Sequence, residues 1–266
     1  MAEYQAIPAL SAGGAWTLSE MCPALYWSQS PFNPSALPST NKLEFDIGIA
    51  AHMAVLEPHE YSERVFHVPF DTYQKAEARQ MRDAAYCEGK TPLKPAERKI
   101  VDCVRDAILR RPDVARLFTG GEPEVSVVIE DFGGVRAKAR ADYLPDAGIV
   151  DLKTVSCAHP GAVARYAASH GWHLRAAWYS EAFGAKPYLF VCVEKTPPYL
   201  VEVYELDERA LAWGEQVMRR ALRLFKLCRE NDHWPGYGRD PVTKLSLPTY
   251  TEYALADREQ AGEFSE

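Results

Sequence analysis

The sequence predicts an α/β fold in which helices flank a mixed central β-sheet. Segments before about residue 120 carry apolar residues at helical spacing, whereas residues 124–155 alternate between polar and apolar side chains. A helix, two apolar strands and a further helix then follow up to residue 230. This order of helices, three consecutive strands, helix, two strands and helix is typical of a mixed sheet with helices packed on it.

The first part of the chain is expected to be helical. A short helix over residues 17–27 is interrupted near Pro23, and residues 28–41, which include three prolines, form a loop. Apolar spacing predicts further helices over residues 42–56, 72–87 and 95–110. The last of these is rich in Lys and Arg, which fits either a solvated helix face or a contact with a DNA backbone.

The centre of the chain predicts three consecutive strands. Residues 124–130 and 135–143 alternate in polarity around the turn Asp131-Phe-Gly-Gly134, so they form a hairpin. After a second turn, residues 149–155 form the third strand. Because the connections are short, we expect the second and third strands to be neighbours.

The second half returns to helix. Residues 160–183 predict a helix that Gly171 can interrupt, and strands over 188–194 and 199–206 precede a long helix over 207–230. We expect a single domain over residues 1–235, with a helical N-terminal region over 1–120, a core over 121–235 and a loosely ordered tail over 236–266.

The composition argues against several classes of protein. With 30 Lys and Arg against 37 Asp and Glu, the formal charge is −7, which disfavours a protein that coats nucleic acid by long-range attraction. No stretch approaches the roughly 18 apolar residues of a membrane helix, and the start lacks the pattern of a signal peptide, so we expect a cytoplasmic protein. The six cysteines lie far apart without a C-x-x-C pair and are predicted to be reduced thiols.

Two strands carry charged side chains at alternating positions. The second strand of the sheet presents one polar face, formed by Arg136, Lys138, Arg140 and Asp142. If the third strand is its neighbour, Asp142 and Asp151 converge beside Lys153. Two close carboxylates repel each other, and a divalent cation relieves that repulsion. The spacing therefore predicts a site for Mg²⁺, which prefers carboxylate oxygens.

Such a site suits phosphodiester hydrolysis. A bound cation polarises the phosphoryl oxygen and lowers the pKa of a bound water, while Lys153 orients that water or stabilises the charge that develops on the phosphate. The spacing alone leaves a simpler alternative open, in which Asp142 and Asp151 cap turns and Lys153 is a surface charge, because D-x-K occurs often by chance.

Several short patterns, taken in order, resemble a known family. Arg140-Ala-Asp142 followed by Val150-Asp-Leu-Lys-Thr154 resembles the D…(D/E)-x-K core of the PD-(D/E)XK nucleases. Between about residues 5 and 230, the chain is similar to the exodeoxyribonuclease VIII (RecE-like) branch of the RecB-type nucleases. The patterns that carry this second likeness are Leu10-Ser-Ala, Cys22-Pro-Ala-Leu-Tyr-Trp27, Gly48-x-x-x-His52 and Trp172-His-Leu-Arg-Ala-Ala-Trp-Tyr179.

The resemblance implies a fuller set of metal ligands. It places His52 with Asp142, Asp151 and the main-chain carbonyl of Leu152 around Mg²⁺, for which Mn²⁺ can substitute. From its residue type alone, His52 on a largely apolar helix is interpreted as a core histidine. Glu124, which begins the first strand, is a further candidate that would act through water. Asp142, Asp151 and Lys153 are the expected catalytic residues.

The helix after the D-x-K strand departs from the family pattern. Where the family carries Gln-x-x-x-Tyr, this sequence has Arg175 and Tyr179, which lie four residues apart on one helix face. Arg175 can contact phosphate with two donors, and we assign Arg175, Tyr179, Lys138 and Arg140 to DNA binding. Tyr179 also has a simpler interpretation as a core residue. The cysteine spacing lacks the four ligands of the iron–sulfur cluster found in several relatives, so we expect no cluster.

The resemblance implies an exonuclease that resects linear duplex DNA from an end in the 5′ to 3′ direction, in phage-type recombination. It also implies a phage or prophage gene in a bacterial host, a homo-oligomeric ring and a single-strand annealing protein as partner. Two alternatives stay open. One is an endonuclease of restriction or repair with the same fold, and the other is a catalytically inactive DNA-binding protein, which Arg175 in place of Gln favours.

Overall fold

Helices dominate the first 120 residues of the computed structural model, which describes residues 2–36, 43–238, 242 and 244–264. Three short strands interrupt them, β1 (Leu10–Ser11), β2 (Val65–His67) and β3 (Thr91–Leu93). The helices are α1 (Ala2–Ala6), α2 (Ala12–Trp16), α3 (Pro23–Ser28), α4 (Leu43–Leu56), α5 (Pro58–Arg64), α6 (Ala76–Cys87), α7 (Pro95–Leu109) and α8 (Pro112–Ala115), with a π-helical turn at Thr17–Met21 and a 3₁₀ turn at Arg116–Phe118. Lys42 and the predicted loop over 37–41 lie outside the described residues.

The predicted interruption near Pro23 is confirmed. Cys22 is extended, and α3 begins at Pro23, which is tolerated in the first turn because it has no N–H to leave unpaired.

The remaining elements form the centre and the second half of the chain. They are β4 (Gly121–Ile129), β5 (Ala137–Pro145), β6 (Ile149–Val155), α9 (Pro160–Ser169), α10 (Trp172–Ala182), β7 (Tyr188–Glu194), β8 (Val201–Glu205), α11 (Glu208–Glu230) and α12 (Thr249–Gln260). The break at Gly171 is confirmed. This glycine has a φ of +66°, and a Cβ there would lie 2.4 Å from the ring of Trp16.

The main sheet runs in the order β1-β5-β6-β7-β8, and β4 pairs with β5. The pairs β4–β5, β5–β6 and β7–β8 are antiparallel, whereas β1–β5 and β6–β7 are parallel, so the sheet is mixed. Helices α9 and α10 connect the parallel strands β6 and β7, as such a crossover requires. The predicted α/β fold is therefore confirmed.

Two apolar cores lie on opposite faces of the sheet. Phe190 and Cys192 of β7 join α2, α10 and α11 in the larger core, and Val191 and Val193 join α4 and α7 in the other. Side chains alternate faces along a strand, so one strand can serve both cores only if both faces are covered by helices. This explains why β7 is apolar at every position from Tyr188 to Val193.

The tail differs from its prediction. We expected loose order over 236–266, yet α12 covers Thr249–Gln260. None of its described residues is buried, so it carries no apolar stripe that periodicity could detect. Within the part of the chain that the structure describes, no helix is both long enough and apolar enough to span a membrane.

Candidate active site

The strands β5 and β6 separate where Asp142 lies. Their described register pairs Tyr143 with Val150, and beyond that pair the N–H of Leu152 donates to the Oδ2 atom of Asp142 at 3.1 Å. A side-chain carboxylate thus takes the place of a backbone acceptor. Because β4 occupies one edge of β5 and β1 pairs only with its first residues, the other edge of β5 is open beside Asp142.

Side chains of α10 satisfy the backbone of β5 along this open edge. The indole Nε1 of Trp178 donates to the carbonyl of Lys138 at 3.2 Å, and Tyr179 makes a hydrogen bond with the backbone of Arg140. Tyr179 is 9% exposed and packs edge-on against Tyr188. These contacts favour the interpretation of Tyr179 as a core residue.

Glu124 lies directly opposite Asp142 in the β4–β5 register, which pairs Pro123 with Tyr143 and Val125 with Ala141. Its backbone has a φ of +55°, a left-handed conformation that is unfavourable for a residue with a Cβ. Strain of this kind persists only where the surrounding structure imposes it, and it clusters at functional sites. In this conformation the carboxylate of Glu124 lies close to that of Asp142.

His52 reaches this place from α4. Gly48 lies one turn earlier, and a Cβ there would be 3.3 Å from Oγ1 of Thr154 on β6, so glycine allows the helix to approach the strand closely. Residues four apart share a helix face, and His52 therefore faces the sheet as well. Its Nδ1 atom lies 3.5 Å from Oδ2 of Asp142.

Three ligand-type side chains converge at this point. One ligand atom from each of His52, Glu124 and Asp142 lies within 4.8 Å of the others, and all three residues are half-buried. An imidazole and two carboxylates suit a divalent cation, because they offer one nitrogen and several oxygens with negative charge. This donor set fits the predicted metal.

Burial tunes the ionisation of the site. Burial and the nearby Lys153 ammonium lower the pKa of His52 to about 4, so its imidazole is neutral and can act as a ligand at pH 7. Burial and the carboxylate of Asp151 raise the pKa of Asp142 well above its usual range. Asp142 therefore binds a proton more readily than Asp151 does, and a bound cation would favour the ionisation of Asp142.

Asp151 occupies the deepest position. It is 1% exposed, forms an ion pair with Lys153 through Oδ1, and accepts a hydrogen bond from the Tyr188 hydroxyl on Oδ2 at 2.8 Å. Burial would raise the pKa of Asp151, but Lys153 and a hydrogen bond with Asp142 outweigh it and lower the pKa. Asp151 therefore stays ionised next to Asp142. It is not part of the group formed by His52, Glu124 and Asp142.

The comparisons with known proteins give the family and the fold of the chain. Residues 27–240, most of the chain, match the family described as "PDDEXK-like domain of unknown function (DUF3799)". The chain belongs to this PDDEXK-like family. The predicted resemblance to the PD-(D/E)XK superfamily is thereby confirmed, whereas the assignment to its RecE-like branch stays a prediction.

One of the solved structures resembles the PDDEXK-like protein in fold. A provisionally named exonuclease from Eubacterium rectale superposes with a TM-score of 0.64 at 12% identity, and the match covers 93% of each chain. An alkaline exonuclease from Laribacter hongkongensis gives a TM-score of 0.30 at 16% identity and covers 66% of this chain and 98% of its own. No curated protein matches the sequence.

Arg175 of this PDDEXK-like protein lies beside the two aspartates. Burial lowers the pKa of Arg175, but the charge of Asp151 and three further neighbours raise it above its usual range. No ion pair or side-chain hydrogen bond engages its guanidinium among the described residues. Arg175 therefore keeps its donors available for a ligand, as its predicted role requires.

The other two predicted DNA contacts have partners within the protein. Lys138 is 4% exposed, and its ammonium donates to the carbonyls of Tyr4, Gln5 and Ile7 at 2.8, 3.0 and 2.9 Å. An ammonium has three donors, so none is left for a phosphate, and we no longer assign Lys138 to DNA binding. Arg140 forms an ion pair with Glu124 and thus orients a candidate ligand.

The residue types alone did not indicate a role for Tyr188, because it begins an apolar strand and resembles a core tyrosine. The signal that could have indicated Tyr188 is the pairing of its strand with the strand that carries Asp151. Parallel β6 and β7 align Ile149 with Tyr188, which places the tyrosine two residues along from the position opposite Asp151.

Proposed function

We propose that the protein is a metal-dependent deoxyribonuclease that hydrolyses phosphodiester bonds. The observation that carries this proposal is the convergence of His52, Glu124 and Asp142 beside the Asp151–Lys153 ion pair. The family membership and the exonuclease name of the Eubacterium rectale protein support it. Asp142, Asp151 and Lys153 would be the catalytic residues.

The chain's own side chains supply distinct contributions. His52, Glu124 and Asp142 would hold Mg²⁺ or Mn²⁺, with Asp151 and the main-chain carbonyl of Leu152 as further ligands. The cation, when bound, would polarise the phosphoryl oxygen and make a bound water more acidic. Binding of the phosphate and stabilisation of its charge would depend on side chains that do not bind the metal.

Lys153 and Arg175 are the cationic groups of the site. Lys153 pairs with Asp151 and is 20% exposed in its side chain, so its ammonium would be able to donate to an attacking water or to a phosphate oxygen. Arg175 can bind a phosphate oxygen pair with its planar guanidinium. Tyr188 holds Asp151 in one orientation and so acts as a positioning residue.

We infer the finer activity from the RecE-like resemblance. It is resection of linear duplex DNA from an end, in the 5′ to 3′ direction, by a ring-shaped homo-oligomer that works with a single-strand annealing protein in the cytoplasm of a phage-carrying bacterium. Analytical ultracentrifugation tests the ring, because a monomer at micromolar concentration would contradict it.

The activity is tested on linear duplex DNA labelled at one 5′ end or one 3′ end, with Mg²⁺. We expect progressive loss of the 5′ label and none with Asp151→Ala. No degradation by the wild-type protein, or equal degradation by Asp151→Ala, would contradict the proposal. Covalently closed circular DNA is the control for the endonuclease alternative, because an exonuclease leaves it intact.

A further inference from the structure

The C-terminal half of α11 is strongly basic in an otherwise acidic protein. Residues 216–229 contain no Asp or Glu, although the whole chain carries 37 acidic against 30 basic residues. The basic residues of this segment, which we call the α11 stripe, are Arg219, Arg220, Arg223, Lys226 and Arg229. Four of these side chains are exposed and Lys226 is half-buried, whereas Met218 and Phe225 of the same helix are buried. The stripe winds around the helix, because Arg220 and Arg229 are nine residues apart and lie on opposite sides of it.

The α11 stripe differs from the basic helix that the sequence first brought to notice. On α7, carboxylates within 4.0 Å pair Lys94, Arg98 and Arg105, so that helix neutralises its own charge. On α11, Arg219 pairs with Glu215 at 2.9 Å and Arg220 with Glu20 at 3.2 Å. Arg223 and Lys226 have no acidic partner among the described residues, so the C-terminal half of α11 keeps positive charge that its own helix does not neutralise.

A pocket of about 380 Å³ adjoins the C-terminal end of the stripe, between α11 and the turn that joins β4 to β5. Arg136, Lys226 and Arg229 line it together with Glu230. Glu130 pairs with Arg136 at 3.0 Å. The other charged residues that line the pocket are Lys226, Arg229 and Glu230. The pocket is therefore cationic overall.

Two of the pocket's cations are held in place by packing. Gly134 has a φ of +81°, and a Cβ there would lie 2.2 Å from Nζ of Lys226, so this glycine makes room for the ammonium. The guanidinium of Arg229 lies 4.6 Å from the ring centroid of Phe32. Groups that are already ordered lose less entropy when they bind a ligand.

The stripe matches the spacing of a nucleic-acid backbone. Arg219 and Arg229 are ten residues apart, or about 15 Å along a helix. One strand of a duplex rises about 3.4 Å per nucleotide, so this length covers about four phosphates. The pocket also lies well away from the candidate active site, because Arg136, which directly precedes β5, is six residues or about 20 Å of extended chain from Asp142.

We propose that the α11 stripe and its adjoining pocket bind the sugar-phosphate backbone of DNA outside the cleavage site. This inference rests on the proposed nuclease function, because it assumes that DNA is the substrate. A backbone held about 20 Å from Asp142 is roughly six nucleotides away from the scissile bond. The stripe would hold the substrate without reading its sequence, since phosphate contacts carry no base information.

The test is the salt dependence of DNA binding. Fluorescence anisotropy of a labelled duplex of about 30 base pairs, in EDTA to prevent hydrolysis, gives the affinity between about 50 and 200 mM salt. We expect Arg223→Gln/Lys226→Gln to reduce the slope of log affinity against log salt by about two, and Arg223→Glu/Lys226→Glu to weaken binding more than tenfold at the lowest salt. Circular dichroism checks that both variants fold.

The matched control is Lys99→Glu/Arg110→Glu, which changes the net charge equally on exposed positions at α7. It should keep the wild-type slope. An unchanged slope in the α11 variants, an equal loss in the α7 control, or no binding by the wild-type protein at low salt would overturn the proposal. Hydrolysis with Mg²⁺ is measured separately. If the wild-type protein hydrolyses DNA but the α11 variants keep the wild-type slope, only the proposal about the stripe is contradicted. If the slope falls but the wild-type protein does not hydrolyse DNA, only the proposed nuclease function is contradicted.

Discussion

The hydroxyl of Tyr188 donates a 2.8 Å hydrogen bond to Oδ2 of Asp151, while Lys153 pairs with Oδ1 of the same carboxylate. Both oxygens of the most buried acid in the site are therefore engaged, and its orientation is determined by β6 and β7 together. Residues that hydrogen-bond to a metal ligand without binding the metal commonly contribute tenfold or more to metal affinity or activity.

Tyr188→Phe is expected to lower kcat on linear duplex DNA by about tenfold, because Asp151 loses the donor that orients it. Steady-state kinetics with Mg²⁺ measure the effect. Tyr204→Phe is the matched control, since its hydroxyl donates to the Ala158 carbonyl instead. Wild-type kcat in Tyr188→Phe, or an equal fall in Tyr204→Phe, would count against the positioning role.

Lys153→Ala is expected to lower kcat by at least about a hundredfold and to change DNA affinity little, because its stabilisation is realised mainly in the transition state. Single-turnover rates and anisotropy measure the two quantities. Lys195→Ala, just beyond β7, is the control for the loss of one positive charge. A large loss of DNA affinity in Lys153→Ala would show that Lys153 binds the ground state instead.

His52→Ala is expected to weaken Mn²⁺ binding by about tenfold or more, since the neutral imidazole is one of three converging ligands. Isothermal titration calorimetry measures the affinity, and excess Mn²⁺ should partly restore hydrolysis. His59→Ala on the exposed side of α5 should leave Mn²⁺ binding as it is. If His52→Ala unfolds, as judged by circular dichroism, His52 is a structural residue.

Arg175→Gln restores the residue that the family pattern carries. We expect it to raise KM about tenfold, because an amide replaces a charged donor to phosphate, while hydrolysis remains measurable. Initial rates against DNA concentration separate KM from kcat. An inactive wild-type protein and an active Arg175→Gln variant would instead support the alternative of a DNA-binding protein that has lost catalysis.

Asp46 gives a prediction for stability. It is 3% exposed and accepts a 2.5 Å hydrogen bond from the Tyr86 hydroxyl, and burial raises its pKa to about 6. The folded state therefore binds the proton more tightly than the unfolded state. The contribution of Asp46 to stability is fully present below its unfolded pKa near 3.8 and is lost as the pH rises through 6.

Asp46→Asn should remove that dependence. At about pH 8 we expect the variant to have a free energy of unfolding higher than that of the wild type by up to about 3 kcal/mol, and the difference should shrink towards pH 4. Urea denaturation at both pH values measures it. Asp71→Asn, at an exposed position, should follow the wild type. A stability difference independent of pH would rule out the titration of Asp46 as its cause.

Much of the fold followed from local patterns. The bounds of β6 agree with the prediction because a run of alternating side chains between two turns can only be a strand, and α10 begins after Gly171 because that residue adopts a positive φ. The helix α12 was not predicted, since no apolar stripe marks it.

The candidate site was predicted in part. His52 lies 3.5 Å from Asp142 and Lys153 pairs with Asp151, and the functional roles of these four residues stay predictions. Lys138, in contrast, is turned inward and donates to the carbonyls at the end of α1. Alternation along β5 indicated which residues share a face, but it could not indicate that α1 would cover Lys138.

The sequence by itself determined the elements, their order and the acidic and basic residue types on β5 and β6, because these depend on side-chain period and turn chemistry within short segments. Only the tertiary structure decided that β5 and β6 separate at Asp142, that Glu124 lies opposite it, and that Tyr188 reaches Asp151. Those contacts join residues far apart in the chain. They depend on strand register and helix approach, which no local pattern specifies.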